Sequence, residues 1–90
     1  MTAKKFDASE YLNDPETVRE YLQVMLEENG LEGLQRGLAD VAKAQGMTEI
    51  ARKTNLSRQN LYKALAPGSA PKFETIKKVV EALGCQLKVA

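Results

Sequence analysis

The chain reads as an all-α domain: five helices, the first in an acidic N-terminal segment, followed by a short C-terminal β-strand. Three observations predict this. Apolar side chains recur at three- and four-residue spacing along most of the 90 residues, which is the period of an amphipathic helix. Pro15, Gly30, Gly46 and Gly84 stand where those stripes begin or stop, as helix punctuation requires. The tail CQLKVA then changes to a two-residue alternation of Cys85, Leu87 and Val89 with Gln86 and Lys88, the pattern of a half-buried strand.

Each element has a local cause. Asp14 followed by Pro15 starts the first helix, since the carboxylate accepts a free backbone N–H and proline's missing donor costs nothing at the first position. Val18, Leu22, Met25 and Leu26 mark its apolar face, and Gly30 is placed to end it in a left-handed conformation. A second helix is expected over about residues 32 to 45, with Leu34, Leu38, Val41 and Ala42 on one side and Gly46 as its stop. Gly33 and Gly37 weaken this helix or let a neighbour approach closely. Two short helices follow at about 48 to 54 and 58 to 65, then a loop at PGSAP, residues 67 to 71. Phe73, Ile76, Val80 and Leu83 give the fifth helix, stopped at Gly84. A lone strand after it needs a partner for its edge: a second copy, the N-terminal segment or a bound protein.

Composition narrows the function classes. Ninety residues make one domain with a single modest core. The one cysteine, Cys85, cannot close an internal disulfide, so a reducing cytoplasmic compartment is expected. No run of eighteen apolar residues is present and the start MTAKKFDASE is polar, so neither a membrane span nor secretion is expected. With no histidine, no cysteine cluster and no glycine-rich phosphate loop, the usual parts of metal, cofactor or acid–base chemistry are missing. We expect no enzyme, no cofactor and no metal. The net charge of +1 conceals an asymmetry: residues 1 to 30 hold three bases against seven acids, residues 47 to 90 eight bases against three acids. A polyanion suits the basic part and a basic protein the acidic one; a merely solvated surface is the plainer alternative.

The stretch MTEIARKTNLSRQNLYKAL, residues 47 to 65, carries the most specific signal. Two helices this short cannot stand alone and must pack on each other and on a larger body. Ala51 is small where two steeply crossing helices touch, Asn55 tolerates the positive φ that turns the chain, and Leu56 fills the gap beneath. Ser57 caps the following helix, while Leu56 and Leu61 form a hydrophobic staple across the cap. The arrangement is a helix-turn-helix, whose second helix presents its N-terminal side chains to base edges in the major groove.

The spacing of Ile50, Ala51, Asn55, Leu56, Leu61 and Ala64 resembles the lambda-repressor and Cro-like (Xre-type) DNA-binding family, in which glycine is usual at the turn. Taken with FDASEYLNDPETVREYL and PKFETIKKVVEALGCQLKV, the chain over residues 6 to 89 resembles the addiction-module antidote family, helix-turn-helix antitoxins of type II toxin–antitoxin systems. That resemblance implies a lambda-repressor-like fold and a transcriptional autoregulator that binds double-stranded operator DNA and neutralises a small basic RelE-like or HigB-like toxin. Two positions depart from the family pattern. Glu49 stands where glutamine is usual, and Lys72 where serine or threonine would cap the fifth helix.

The domain then divides into residues 1–30, an acidic segment of the same unit; 31–84, the helix-turn-helix body with its recognition helix at about 57–65; and 85–90, the strand. Ser57, Arg58, Gln59, Asn60 and Tyr62 are the candidates for reading bases, arginine by gripping guanine and the amides adenine. For Tyr62 partial burial in the domain is an open alternative. Thr48, Arg52, Lys63 and Lys72 are the candidates for phosphate, with a solvated face equally open for Arg52 and Lys53. Phe6, Tyr11, Leu12 and Tyr21 are either core edge or toxin-binding anchors. One recognition helix covers only a few base pairs, so a homodimer is expected, with its two helices about 34 Å apart. A stand-alone phage-like repressor and a protein-interaction module without DNA binding are the competing readings.

Overall fold

In the computed structural model, residues 12–87 are described. The Asp14 carboxylate accepts from the Thr17 backbone N–H at 3.0 Å and from its hydroxyl at 2.9 Å, which holds Asp14 below the ordinary carboxylate pKa. With Pro15 at the first helical position this launches α1, Pro15–Gln45. The remaining elements are α2, Met47–Thr54, α3, Arg58–Leu65, and α4, Phe73–Ala82.

Four helices therefore replace the expected five among the described residues. The two helices foreseen before Gly46 are one element, because only Asn29 and Gly30 leave helical φ/ψ and no loop separates the arms. Its 31 residues would extend roughly 46 Å if straight. They do not. The Tyr21 hydroxyl donates to Asp40 Oδ2 at 2.6 Å, 19 positions away, and Gln45 Nε2 donates to the Leu12 carbonyl at 2.9 Å, 33 positions away. The arms on either side of Gly30, whose φ is 63°, thus lie antiparallel. Glycine also permits their contact: a Cβ on Gly33 would run into the Met25 carbonyl, and one on Gly37 would sit 3.0 Å from Leu22 Cδ2.

The expected C-terminal strand is also corrected. Residues 85–87 belong to no strand, and 88–90 lie outside the described residues. The Cys85 N–H bonds the Val80 carbonyl at 3.1 Å and its Sγ donates to the Pro15 carbonyl at 3.9 Å. Cys85 is thereby folded back over the end of α4, where no extended segment among the described residues offers a ladder. Alternation reports which side chains face inward, but a strand exists only against a neighbour.

A single core joins all four helices. Val18, Leu22, Leu38, Val41, Ile50, Leu61, Leu65, Val79, Val80 and Leu83 are buried together, with Leu12 from the turn before α1. The expected core residues Leu34, Leu56 and Ile76 pack against it half-buried, and Met25 is also half-buried. Val79, which the sequence pattern did not single out, is fully buried.

Candidate nucleic-acid interface

The turn between α2 and α3 forms as local chemistry dictates. Asn55 takes φ 60°, ψ 28°, and the Leu56 N–H reaches back to the Ala51 carbonyl at 3.0 Å. A left-handed residue with a bond spanning six residues closes the helix end. Ser57 Oγ then accepts the Asn60 N–H at 3.0 Å, and Leu56 and Leu61 pack on the core on either side of this cap. Cap and staple fix which side of α3 faces outward.

On that outward side stand Ser57, Arg58, Gln59, Asn60 and Lys63, all exposed, with Tyr62 43% exposed. The Arg58 guanidinium lies over the Tyr62 ring, 5.6 Å from its centroid, and Nη2 donates to the phenol oxygen at 3.4 Å. The far end of α3 is held from beneath. Gln35 Nε2, nearly buried on the second arm of α1, donates to the Ala64 carbonyl at 2.8 Å, the Ala66 carbonyl at 3.1 Å and Ser69 Oγ at 2.7 Å. Ser69 Oγ in turn donates to the Ala64 carbonyl at 2.9 Å. Sequence reasoning passed over Gln35. Its signal was a polar residue within the stripe of Leu38 and Ala42, where burial demands a hydrogen-bonding role.

The phosphate candidates are placed less uniformly. Thr48 is exposed in the first turn of α2, and Lys72 is exposed at the N-cap of α4 with no side-chain capping bond. Arg52 forms an ion pair with Glu49, one turn back on its own helix. The bond from Arg52 lowers the Glu49 pKa and raises that of Arg52. The pair presents no net charge, unlike Lys53 and Lys63, which are exposed bases.

The four toxin-contact candidates scatter. Phe6 and Tyr11 lie outside the described residues. Leu12 is 2% exposed, inside the core. Tyr21 is half-buried, and burial together with its bond to Asp40 pushes its pKa up to about 12. The acids of the first arm, Glu16, Glu20, Glu27 and Glu28, are all exposed. No group of three His, Cys, Asp or Glu side chains among the described residues is placed to hold a metal ion.

A family model described as "Probable addiction module antidote protein" matches residues 2–90. The chain belongs to the addiction-module antidote family. A relative in Haemophilus influenzae, described as an uncharacterized protein, is 41% identical over 86 residues, covering 96% of this chain and 89% of that protein. No solved structure matches the chain. The antidote family implies a toxin partner. No helix among the described residues is long and apolar enough to cross a membrane.

Proposed function

We propose that this antidote-family chain is an antitoxin that also represses transcription, binding operator DNA through α3 and neutralising a small basic RelE-like or HigB-like toxin. The observation that carries the DNA half is the first turn of α3. Its cap, staple and left-handed turn hold Arg58, Gln59 and Asn60 outward on a rigid base, and these side chains carry the hydrogen-bonding patterns that distinguish guanine and adenine in the major groove. Lys63, Lys72 and Thr48 supply groups for phosphate, and a homodimer supplies the second half-site. Mixed-sequence duplex selection with the purified protein should yield an inverted repeat. Recovery of unselected sequence removes the DNA-binding reading.

For the toxin half, the first arm of α1 carries the support. Glu16, Glu20 and Glu27 fall within about 40° of one another around the helix and are exposed, an acidic ridge complementary to a protein that binds RNA. Co-expression with the product of the adjoining reading frame should relieve its toxicity, and charge reversal at these three glutamates should weaken that protection without loss of operator binding. Protection that survives the reversal moves the toxin surface elsewhere. One observation favours a second reading, a protein-interaction module without DNA: the Glu49–Arg52 pair removes a cation from the helix-turn-helix.

A further inference from the structure

The two arginines of the helix-turn-helix are held by different kinds of group. Arg52 on α2 is paired with a carboxylate, which cancels its charge. Arg58 on α3 is held by a neutral one. Its guanidinium carbon lies 5.6 Å from the Tyr62 ring centroid and its Nη2 donates to the Tyr62 hydroxyl at 3.4 Å. Four residues along a helix is the spacing at which side chains meet, so the contact follows from the sequence order Arg58-Gln59-Asn60-Leu61-Tyr62 once the segment is helical. Tyr62 is 43% exposed and lines, with Met47, Leu65 and Pro67, a groove of about 410 Å³ between α1 and the end of α3.

A neutral holder has a consequence that an anionic one lacks. The ring quadrupole and the phenol oxygen restrict the arginine without neutralising it, and they engage one edge of the guanidinium, so other N–H donors of the fork stay available. A long arginine that is already restrained loses less rotamer freedom when it grips a base. We infer that Tyr62 is a positioning residue for Arg58: it aims the guanidinium at a guanine edge and so sets the preference for guanine at one base pair, acting through Arg58. The inference rests on the DNA-binding reading and assigns Tyr62 a different part in it from a direct base contact.

The test is selection from a duplex library with a randomised core, using the full chain and the variants Tyr62→Phe, Tyr62→Leu, Arg58→Ala and Arg58→Ala with Tyr62→Leu. The parent selects guanine at one position of each half-site. Tyr62→Leu should lower that preference roughly two- to fivefold, weakening the preferred site more than mixed-sequence DNA at low salt. Tyr62→Phe, which keeps the ring and loses only the hydroxyl, should fall between them. In the Arg58→Ala background Tyr62→Leu should have no further effect on base preference, which is the readout a purely structural tyrosine would not give. If Tyr62→Leu lowers the melting temperature, Tyr62→Phe decides, since it leaves the packing surface in place. Equal losses from Tyr62→Leu with and without Arg58, or an unchanged guanine preference, overturn the inference and leave the DNA-binding reading intact. A parent that selects no sequence overturns that reading, and this one with it.

Discussion

The side-chain amide of Gln35 donates to the Ala64 carbonyl at 2.8 Å, tying the second arm of α1 to the last turn of α3. The same nitrogen reaches Ala66 and Ser69. A helix C-terminus leaves carbonyls without partners inside the helix, and here a buried amide and a serine hydroxyl supply them. α3 is therefore anchored at both ends, by Ser57 in front and by Gln35 behind.

Removing this anchor should cost stability. Gln35→Leu removes the amide's bonds and leaves the Ala64 and Ala66 carbonyls to Ser69 alone, for which about 1–2 kcal/mol is expected. Ser69→Ala, which leaves the amide in place, should cost about 1 kcal/mol. Urea unfolding followed by circular dichroism measures both. A Gln35→Leu protein as stable as the parent would mean that Ser69 and apolar packing hold the end of α3 without the amide.

The reversal in α1 predicts an order among glycines. Gly30 has φ 63°, ψ −145°, a backbone region nearly restricted to glycine, and open space around the position of a Cβ, so Gly30→Ala meets only that backbone strain, about 1–3 kcal/mol. Gly33→Ala would press a methyl group into the Met25 carbonyl, a backbone atom that moves only if the arms separate. We expect it to be the more damaging of the two, at about 3 kcal/mol. The reverse order in thermal melts would contradict the close contact of the arms.

If the proposed DNA-binding function holds, Glu49→Gln should strengthen binding to the duplex. It removes one negative charge and releases Arg52 from its ion pair. One added phosphate contact steepens the dependence of log affinity on log salt by about 0.9. Fluorescence anisotropy between 50 and 200 mM salt, roughly the range over which such contacts are felt, reads both effects. Unchanged affinity and slope would place the Glu49–Arg52 pair away from the duplex.

Alkaline stability should depend on Tyr21. Burial and the Asp40 carboxylate raise its pKa in the fold from 10.0 to about 12, so the folded chain keeps the phenol proton where the unfolded chain releases it. The stabilisation is whole below pH 10 and is lost as pH climbs toward 12. The melting temperature of the parent should fall more steeply across this window than that of Tyr21→Phe, which has no proton to lose. Parallel curves for the two proteins would detach the phenol from alkaline unfolding.

What the sequence made legible was what a few neighbouring residues determine. Asn55, Leu56, Ser57 and Leu61 specify the turn from α2 into α3 within seven positions, and Asp14 with Pro15 specifies the start of α1. The misread parts depend on partners distant in the chain. Gly30 signalled a break, yet two residues suffice to reverse the chain, so no separating loop forms. The tail alternates like a strand, but Val80 and Pro15 bind Cys85 before any ladder begins. The outward exposure of the α3 side chains was foreseeable from the cap. The claims on Gln35 by Ala64 and on Tyr21 by Asp40 span 29 and 19 positions; a polar residue in an apolar stripe announced a role for Gln35, but no local pattern names either partner. Leu12 shows the same limit, for only its place in the core decides between anchor and packing.

The meeting of Cys85 with Pro15 gives the described domain a nearly closed path. A Cβ at Gly84 would lie 3.6 Å from the Pro15 ring, at the place where Cys85 touches the Pro15 carbonyl. Among the described residues, the backbone after α4 thus passes beside the start of α1. The four described helices then run as a ring with one seam, so the order in which they are strung together can be rotated: a short linker across the seam, with new ends opened in the loop at residues 67 to 71, should keep their packing.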